Sequence, residues 1–408
     1  MKEKINKVKD ILKRIIDNNY LFTIICIILI VCSAMLRYSF IYHESWDYTA
    51  FLSNWWNEIY QNGLRSFGMN IGDYTNFYLV LLFIGTFITT NSLIYIKMAT
   101  FFFEILFVLT MYVILRRLVH KPRKISAVIA IASSFIPTLI FNGAVASQCD
   151  VIYTLMIIIM IYFTFREKYK TALLFFGLAF AIKLQSIFVA PIILYLLVHK
   201  KIKIYDLMII GIPYIAFAIP SIIAGKSMWD IIAVYINQTN NYTYWTLNAP
   251  NFYQILKLNF VEASGLIYLP ILLVGISIIA LIYLFRKQYS KELILKLCVF
   301  FAILVPYFLP KMHERYFFVA DMLAFIYVLI DGRKKIKLFL LVVIASFFSY
   351  ASFLWDMYAE LFPPIVLRVF NLQTVAVFNF IALLLIANDL RIEYKNKKEK
   401  NIEQIIIN

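Results

Sequence analysis

Apolar residues run along this chain in long, nearly unbroken stretches rather than at the period of an amphipathic helix or strand. Runs of about twenty recur from residue 20 to residue 388; at 1.5 Å per residue, each is long enough to carry a helix across a hydrocarbon layer of roughly 30 Å. The pattern predicts an all-α fold: a polytopic transmembrane helix bundle of about 12 spans, with a long first extracytoplasmic loop carrying interfacial helices.

The polar segments between the runs set the expected topology. Lys and Arg gather at residues 116–124, 166–170, 199–203, 286–296, 333–337 and 391–400, the bias of cytoplasmic loops. Lys2, Lys4, Lys7, Lys9, Lys13 and Arg14 precede the first run, and no small-residue cleavage site follows it. Residues 1–19 are therefore expected to remain as a cytoplasmic basic N-terminus, and 391–408 as a cytoplasmic basic tail.

The first span, 20–42, then puts 43–74 outside. If the runs 76–90 and 92–118 both crossed, the basic cluster at 116–124 would also lie outside. The shorter run falls below spanning length, so it is expected to be an interfacial or re-entrant helix on the outer side. The first outer loop becomes 43–91. Further outer segments are 142–150, a turn near Gln185, 225–264, 310–315 and 355–366. No linker, low-complexity tract or repeat divides residues 20–390, which read as one transmembrane domain.

Composition narrows the class. Of 408 residues, 62% are hydrophobic and 15% charged, against about half and a quarter in soluble domains. The net charge of +16 follows the cytoplasmic segments, so it reads as topology and not as a nucleic-acid surface. Cys26, Cys32, Cys149 and Cys298 have neither metal nor redox spacing.

The unusual polar residues lie on the outer side. His43-Glu44-Ser45-Trp46-Asp47-Tyr48 leads into a stretch containing Phe51, Leu52, Trp55 and Trp56. Here a carboxylate has sugar-stacking aromatics beside it, or the segment is an interfacial aromatic belt with a solvated acid. Asp73, in Gly72-Asp73-Tyr74, is a second carboxylate or a helix N-cap, and Asp150, in Ser147-Gln148-Cys149-Asp150, contacts substrate or caps the next helix. Lys183 and Gln185 interrupt an apolar stretch, the mark of a cavity or an anionic ligand, or of a snorkelling lysine. Pro310-Lys311-Met312-His313-Glu314-Arg315-Tyr316 concentrates cations outside, which suits a phosphate-bearing partner; the plainer reading is Glu314 pairing with Arg315 or Lys311. Lys97 and Glu104, on one face of a span, either neutralise each other or face other helices, and read as structural. Asp321 sits inside a span with no partner evident from sequence.

Taken in order, Ser45-Trp46-Asp47-Tyr48, Gly72-Asp73-Tyr74, Ile96-Lys97, Gln148-Cys149-Asp150, Lys183-Leu184-Gln185, Asn248-Ala249-Pro250-Asn251 and Met312-His313-Glu314-Arg315-Tyr316 resemble the bacterial GPI-mannosyltransferase-like proteins of the C-type glycosyltransferase superfamily. The resemblance implies inverting transfer of a hexose, mannosyl or glucosyl, from a polyprenyl phosphate to an envelope glycan or lipid-linked acceptor outside the cytoplasm. By motif, Asp47 would be the general base. Asp73, Trp55, Gln148, Asp150 and Gln185 would bind acceptor and sugar, and Lys183, His313 and Arg315 would hold the donor phosphate. The sequence departs from the pattern at residues 45–47, which read Ser-Trp-Asp where a small residue, often Gly, is expected before the acid, and at Ser147, where an aromatic-Gly pair often precedes Gln-Cys-Asp. Residues 1–408 hold no Asp-x-Asp triplet, in keeping with a lipid-linked donor, and neither a metal nor another cofactor is expected. The expected partners are the lipid-linked sugar donor, the glycan or glycolipid acceptor and membrane lipids, with no nucleic acid. The expected location is the bacterial cytoplasmic membrane. A lipid or saccharide transporter or flippase, with Lys97, Glu104, Lys183 and Asp321 lining its path, is the alternative from another class.

Overall fold

A computed structural model describes residues 17–407 except Asn241, Ser264 and Phe353, without side-chain detail from 397 onward. The expected basic N-terminus from Lys2 to Arg14 lies outside the described residues.

The described chain is predominantly helical, and its strands among the described residues are the two-residue β1 (Thr246–Leu247) and β2 (Met312–His313). Six helical segments are long and apolar enough to span a membrane: Asn19–Tyr38, Ser92–Arg117, Ile204–Ile223, Gly265–Leu284, Arg333–Ser352 and Leu372–Asn396. Arg123–Ser133 and Pro137–Val145 add a seventh if counted together across their 55° bend. Shorter apolar helices run over Asn76–Thr86, Asp150–Phe165, Tyr169–Ile182 and Leu184–Val198. Length and composition thus give six or seven spans where about 12 are expected. The difference has a local cause: several apolar stretches break at polar or bent positions, Lys183 and Ile136 among them, leaving helices shorter than a bilayer requires.

Burial explains how an apolar chain packs in this way. Asp150–Phe165, Lys291–Phe308 and Phe318–Asp331 are enclosed on nearly every side and share one hydrophobic core. Asn19–Tyr38 and Tyr268–Leu284 instead expose rows of large apolar residues, including Ile24, Ile27 and Ile28 on the first and Leu272, Leu273 and Ile276 on the second. Apolar faces this long require lipid as solvent, because water would penalise every one of those side chains. The protein is a multi-pass membrane protein.

The ionisable groups inside helices find neighbours, although Asp321 Oδ2 is buried without a hydrogen-bond partner among the described residues. Lys97 does not meet Glu104: it donates to the carbonyls of Phe40 (2.6 Å) and His43 (2.5 Å), beyond the end of the first helix. Glu104 instead pairs with Arg37, whose guanidinium also donates to Ser33 and to the Ser134 carbonyl. Asp321 accepts a 2.9 Å hydrogen bond from Ser346.

Candidate active site

The site is assembled from breaks in helices. A five-residue π-helical turn, Tyr48–Leu52, follows Asp47, and a second, Phe141–Val145, precedes the Gln148 segment; such turns redirect side chains at the cost of regular hydrogen bonding. Ser147 takes φ +57°, a left-handed conformation that glycine adopts without strain, which gives the departure from the aromatic-Gly pattern a backbone meaning. Lys183, extended at φ −154°, separates Tyr169–Ile182 from the 3₁₀ turn Leu184–Val189 and turns Lys183 and Gln185 inward.

These breaks surround one cavity of about 450 Å3. Asp47, Trp55, Asp73, Gln148, Lys183, Gln185, His313 and Arg315 all line it. Asp150 lies just behind its wall, bonded to Lys183. The structure therefore draws five distant segments together. Tyr74, Gln238, Tyr242 and Glu314 line the cavity as well, although none of them figures among the expected site residues. Tyr74 and Glu314 fall within singled-out motifs. For Gln238 and Tyr242 the sequence carries no distinguishing signal.

Asp47 is fixed from two directions. Gln148 donates its side-chain amide to Asp47 Oδ2 at 2.5 Å, and Arg315 Nη1 lies 3.2 Å from the same oxygen. Tyr74 in turn donates to Gln148 Oε1 at 3.2 Å, and Ser45 donates to the Ala146 carbonyl at 2.9 Å, clamping the two backbones. Arg315 also donates to Glu314 at 2.7 Å. The pairing of Glu314 with Arg315 is thus real, but it is buried and not part of a surface network.

Two sequence readings change here. Asp150 begins its helix without making a side-chain capping bond; its carboxylate accepts from Asn142 (2.7 Å) and from the Lys183 ammonium. Lys183 is accordingly buried, so it does not snorkel, and its charge is matched within the wall. Asp73 does not cap either, since Thr75 occupies the N-cap of Asn76–Thr86. It faces the cavity beside Trp55, which packs on Tyr74 with ring centroids 5.1 Å apart. Gly72 makes that packing possible: at φ +64°, an added Cβ would stand 2.4 Å from the Trp55 indole.

His313 enters on β2, which pairs in parallel with β1, so the long segment 225–264 is joined to the wall that carries His313 and Arg315. Burial, then the cations Arg315 and Lys183, push its imidazole well below the usual histidine range. These surroundings favour the neutral ring over the cation that its place in a basic cluster suggests. Burial and the nearby Asp47 raise Glu314 above the ordinary carboxylate range, although Arg315 opposes them. Burial works against the charge on Arg315, but Asp47 and Glu314 more than offset it. Among the described residues, His313 Nε2, Arg315 Nε and Gln185 Oε1 are buried without a hydrogen-bond partner. No group of three or more His, Cys, Asp or Glu is disposed to hold a metal among those residues.

The transporter pattern does not form around these charges. Lys183 lines the cavity, whereas Lys97, Glu104 and Asp321 are engaged elsewhere. A half-buried carboxylate beside a permanent cation, walled by aromatics and amides, is equipped to handle a hydroxyl and an anion together.

Comparison of the sequence with known proteins agrees with that chemistry. No curated protein matches the chain. The family model of glycosyltransferase family 87 matches residues 74–310, a span that contains Tyr74, Gln148, Asp150, Lys183 and Gln185 and ends before His313. The match takes in more than half of the chain, and the protein is a membrane glycosyltransferase belonging to glycosyltransferase family 87.

Proposed function

We propose that this enzyme is an inverting hexosyltransferase that moves a sugar, mannosyl or glucosyl, from a polyprenyl phosphate to an envelope glycan or lipid-linked acceptor. The single observation that carries the reading is the 3.2 Å approach of Arg315 to Asp47 inside one cavity, which sets a phosphate-binding cation beside a proton acceptor.

In the proposed reaction, Asp47 takes the proton of an acceptor hydroxyl as that oxygen bonds to the anomeric carbon. The bond from that carbon to the phosphate oxygen breaks, and its electron pair leaves with the polyprenyl phosphate. Attack opposite the leaving group inverts the centre. Arg315 stabilises the charge gathering on the phosphate, the effect that usually dominates such catalysis. His313 donates a hydrogen bond from a neutral ring, and Lys183 adds a local field already balanced by Asp150. Trp55 offers a stacking face, while Asp73, Gln148 and Gln185 offer hydrogen bonds to sugar or acceptor hydroxyls. No metal ion enters the scheme.

A lipid-linked donor is favoured by a groove of about 380 Å3 that shares Gln185, Gln238, Tyr242 and Tyr316 with the cavity and continues past Ile187, Ile271 and Leu309. In the proposed topology the shorter apolar helices complete about 12 spans, both termini are cytoplasmic, and the cavity opens outside the cytoplasmic membrane of a bacterium. This remains in keeping with the likeness to GPI-mannosyltransferase-like proteins.

Incubating the purified protein with a panel of polyprenyl-phosphate sugars tests the reading: one donor is consumed, and Asp47→Asn lowers transfer by about 10²–10⁴-fold without impairing membrane insertion. Near-normal transfer by that variant removes Asp47 from the role of base.

A further inference from the structure

The proposed base begins the cycle engaged. In the structure Arg315 Nη1 lies between two carboxylates, 2.7 Å from Glu314 and 3.2 Å from Asp47. A carboxylate held by a guanidinium is a poor proton acceptor, because the shared charge stabilises its ionised form. Arg315 Nε, by contrast, is buried and lacks a partner among the described residues, as does His313 Nε2. Unsatisfied buried donors are costly, and these two belong to the wall where an anion is expected.

Glu314 differs from Asp47 in how firmly it is placed. Its side chain is 6% exposed. Its backbone carbonyl accepts from Ser349 at 3.1 Å, and it lies next to the β1–β2 pairing. Asp47 immediately precedes a π-helical turn, is 14% exposed at its side chain and shares its carboxylate with Gln148. One arm of the fork is therefore anchored in the core, and the other ends on a residue with a second partner to keep it in place.

We propose that Glu314 is a positioning residue for Arg315, retaining the guanidinium at the phosphate-facing wall while an incoming donor phosphate takes it from Asp47, so that phosphate binding frees the base. The inference rests on the donor chemistry proposed above. It makes proton abstraction conditional on an occupied donor site: without phosphate, Arg315 keeps Asp47 neutralised. Burial and Asp47 already disfavour the charge on Glu314, which is consistent with its dependence on Arg315.

The test uses the full-length protein in detergent with a short-chain polyprenyl monophosphate carrying no sugar. Asp47→Asn removes the competitor for Arg315, so it binds this probe about tenfold more tightly than wild type. Affinity equal to or weaker than wild type overturns the proposal. For Glu314 the readout is kcat together with probe affinity. Glu314→Gln leaves Arg315 to Asp47 alone, so kcat falls about tenfold and the sugar-free probe binds more weakly than to wild type, and Glu314→Asp recovers part of both. An unchanged kcat, or an unchanged probe affinity with a lowered Tm in both variants, reduces Glu314 to a packing residue. Because the binding arm needs no turnover, an Asp47→Asn gain in probe affinity in a protein that takes sugar from none of the polyprenyl-phosphate donors sinks the proposed donor and leaves only the exchange of Arg315 between Asp47 and a phosphate. A wild type blind to the probe sinks both.

Discussion

Gln148 donates to Asp47 at 2.5 Å across 101 positions of sequence, and its own carbonyl is held by Tyr74. The carboxylate is thereby aimed, since one oxygen is occupied by the amide and by Arg315. Gln148→Ala is expected to lower kcat by about tenfold with a smaller change in donor KM, because misorientation of a reacting group costs rate more than binding. Steady-state kinetics on the purified variant check this; an unaltered kcat would mean that Asp47 needs no such support.

Lys183 and Asp150 form an ion pair with side chains 2% and 1% exposed. Removing one partner strands the other, a loss of about 3–5 kcal/mol, whereas removing both charges is far milder. Lys183→Met is therefore expected to lower thermal stability sharply, and Lys183→Met with Asp150→Asn to recover most of it. Thermal unfolding in detergent separates the cases: a single variant as stable as wild type shows that the pair contributes little.

Ser147 combines φ +57° with a buried hydroxyl lacking a partner among the described residues. Glycine relieves both penalties. Ser147→Gly is expected to stabilise the protein by about 1–2 kcal/mol, the usual cost of left-handed backbone at a residue with a Cβ. A lowered Tm would show that the hydroxyl contributes more than its geometry indicates.

His313 gives the protein a pH dependence with a defined sign. Its native pKa lies below the ordinary value of 6.5, so as pH falls through 6.5 the unfolded chain takes up a proton that the native state refuses. Native stability then declines by at most about 1.4 kcal/mol per pH unit. Glu314 has the opposite slope: its contribution is full below the ordinary value of 4.5 and is lost as pH rises through its elevated native pKa. Comparing wild type with His313→Gln between pH 6.5 and 5 isolates the histidine, because the variant lacks its slope. Parallel profiles for the two proteins would refute the assignment.

Much of this site is legible in the chain because membranes make polar residues conspicuous. Asp47, Asp73, Lys183, Gln185, His313 and Arg315 stand out against apolar or aromatic surroundings, and they meet in one cavity. What the sequence conceals is partnership. Asp150 and Lys183 are 33 residues apart, and Arg37 and Glu104 are 67 apart, so no local period reveals either pair. Lys97 and Glu104, although on one helix, find partners on other elements because carbonyls and a guanidinium lie closer than either lies to the other. Histidine charge is hidden for the same reason, since burial and neighbouring cations decide it. Gln238 and Tyr242 belong to a polar, aromatic-rich segment in which neither is distinctive. The number of spans is obscured because hydropathy does not register where an apolar run breaks.

The short β1–β2 splice has a mechanical consequence. Leu247 and His313 are in register, and the Lys311 amide donates to the Trp245 carbonyl at 2.9 Å, so the ribbon around β1 and the cavity rim that carries His313 and Arg315 are stitched backbone to backbone. Lengthening or trimming the ribbon by a single residue would break that alignment and drag the rim with it. The ribbon's length, more than its exposed side chains, is therefore what sets the placement of His313 and Arg315.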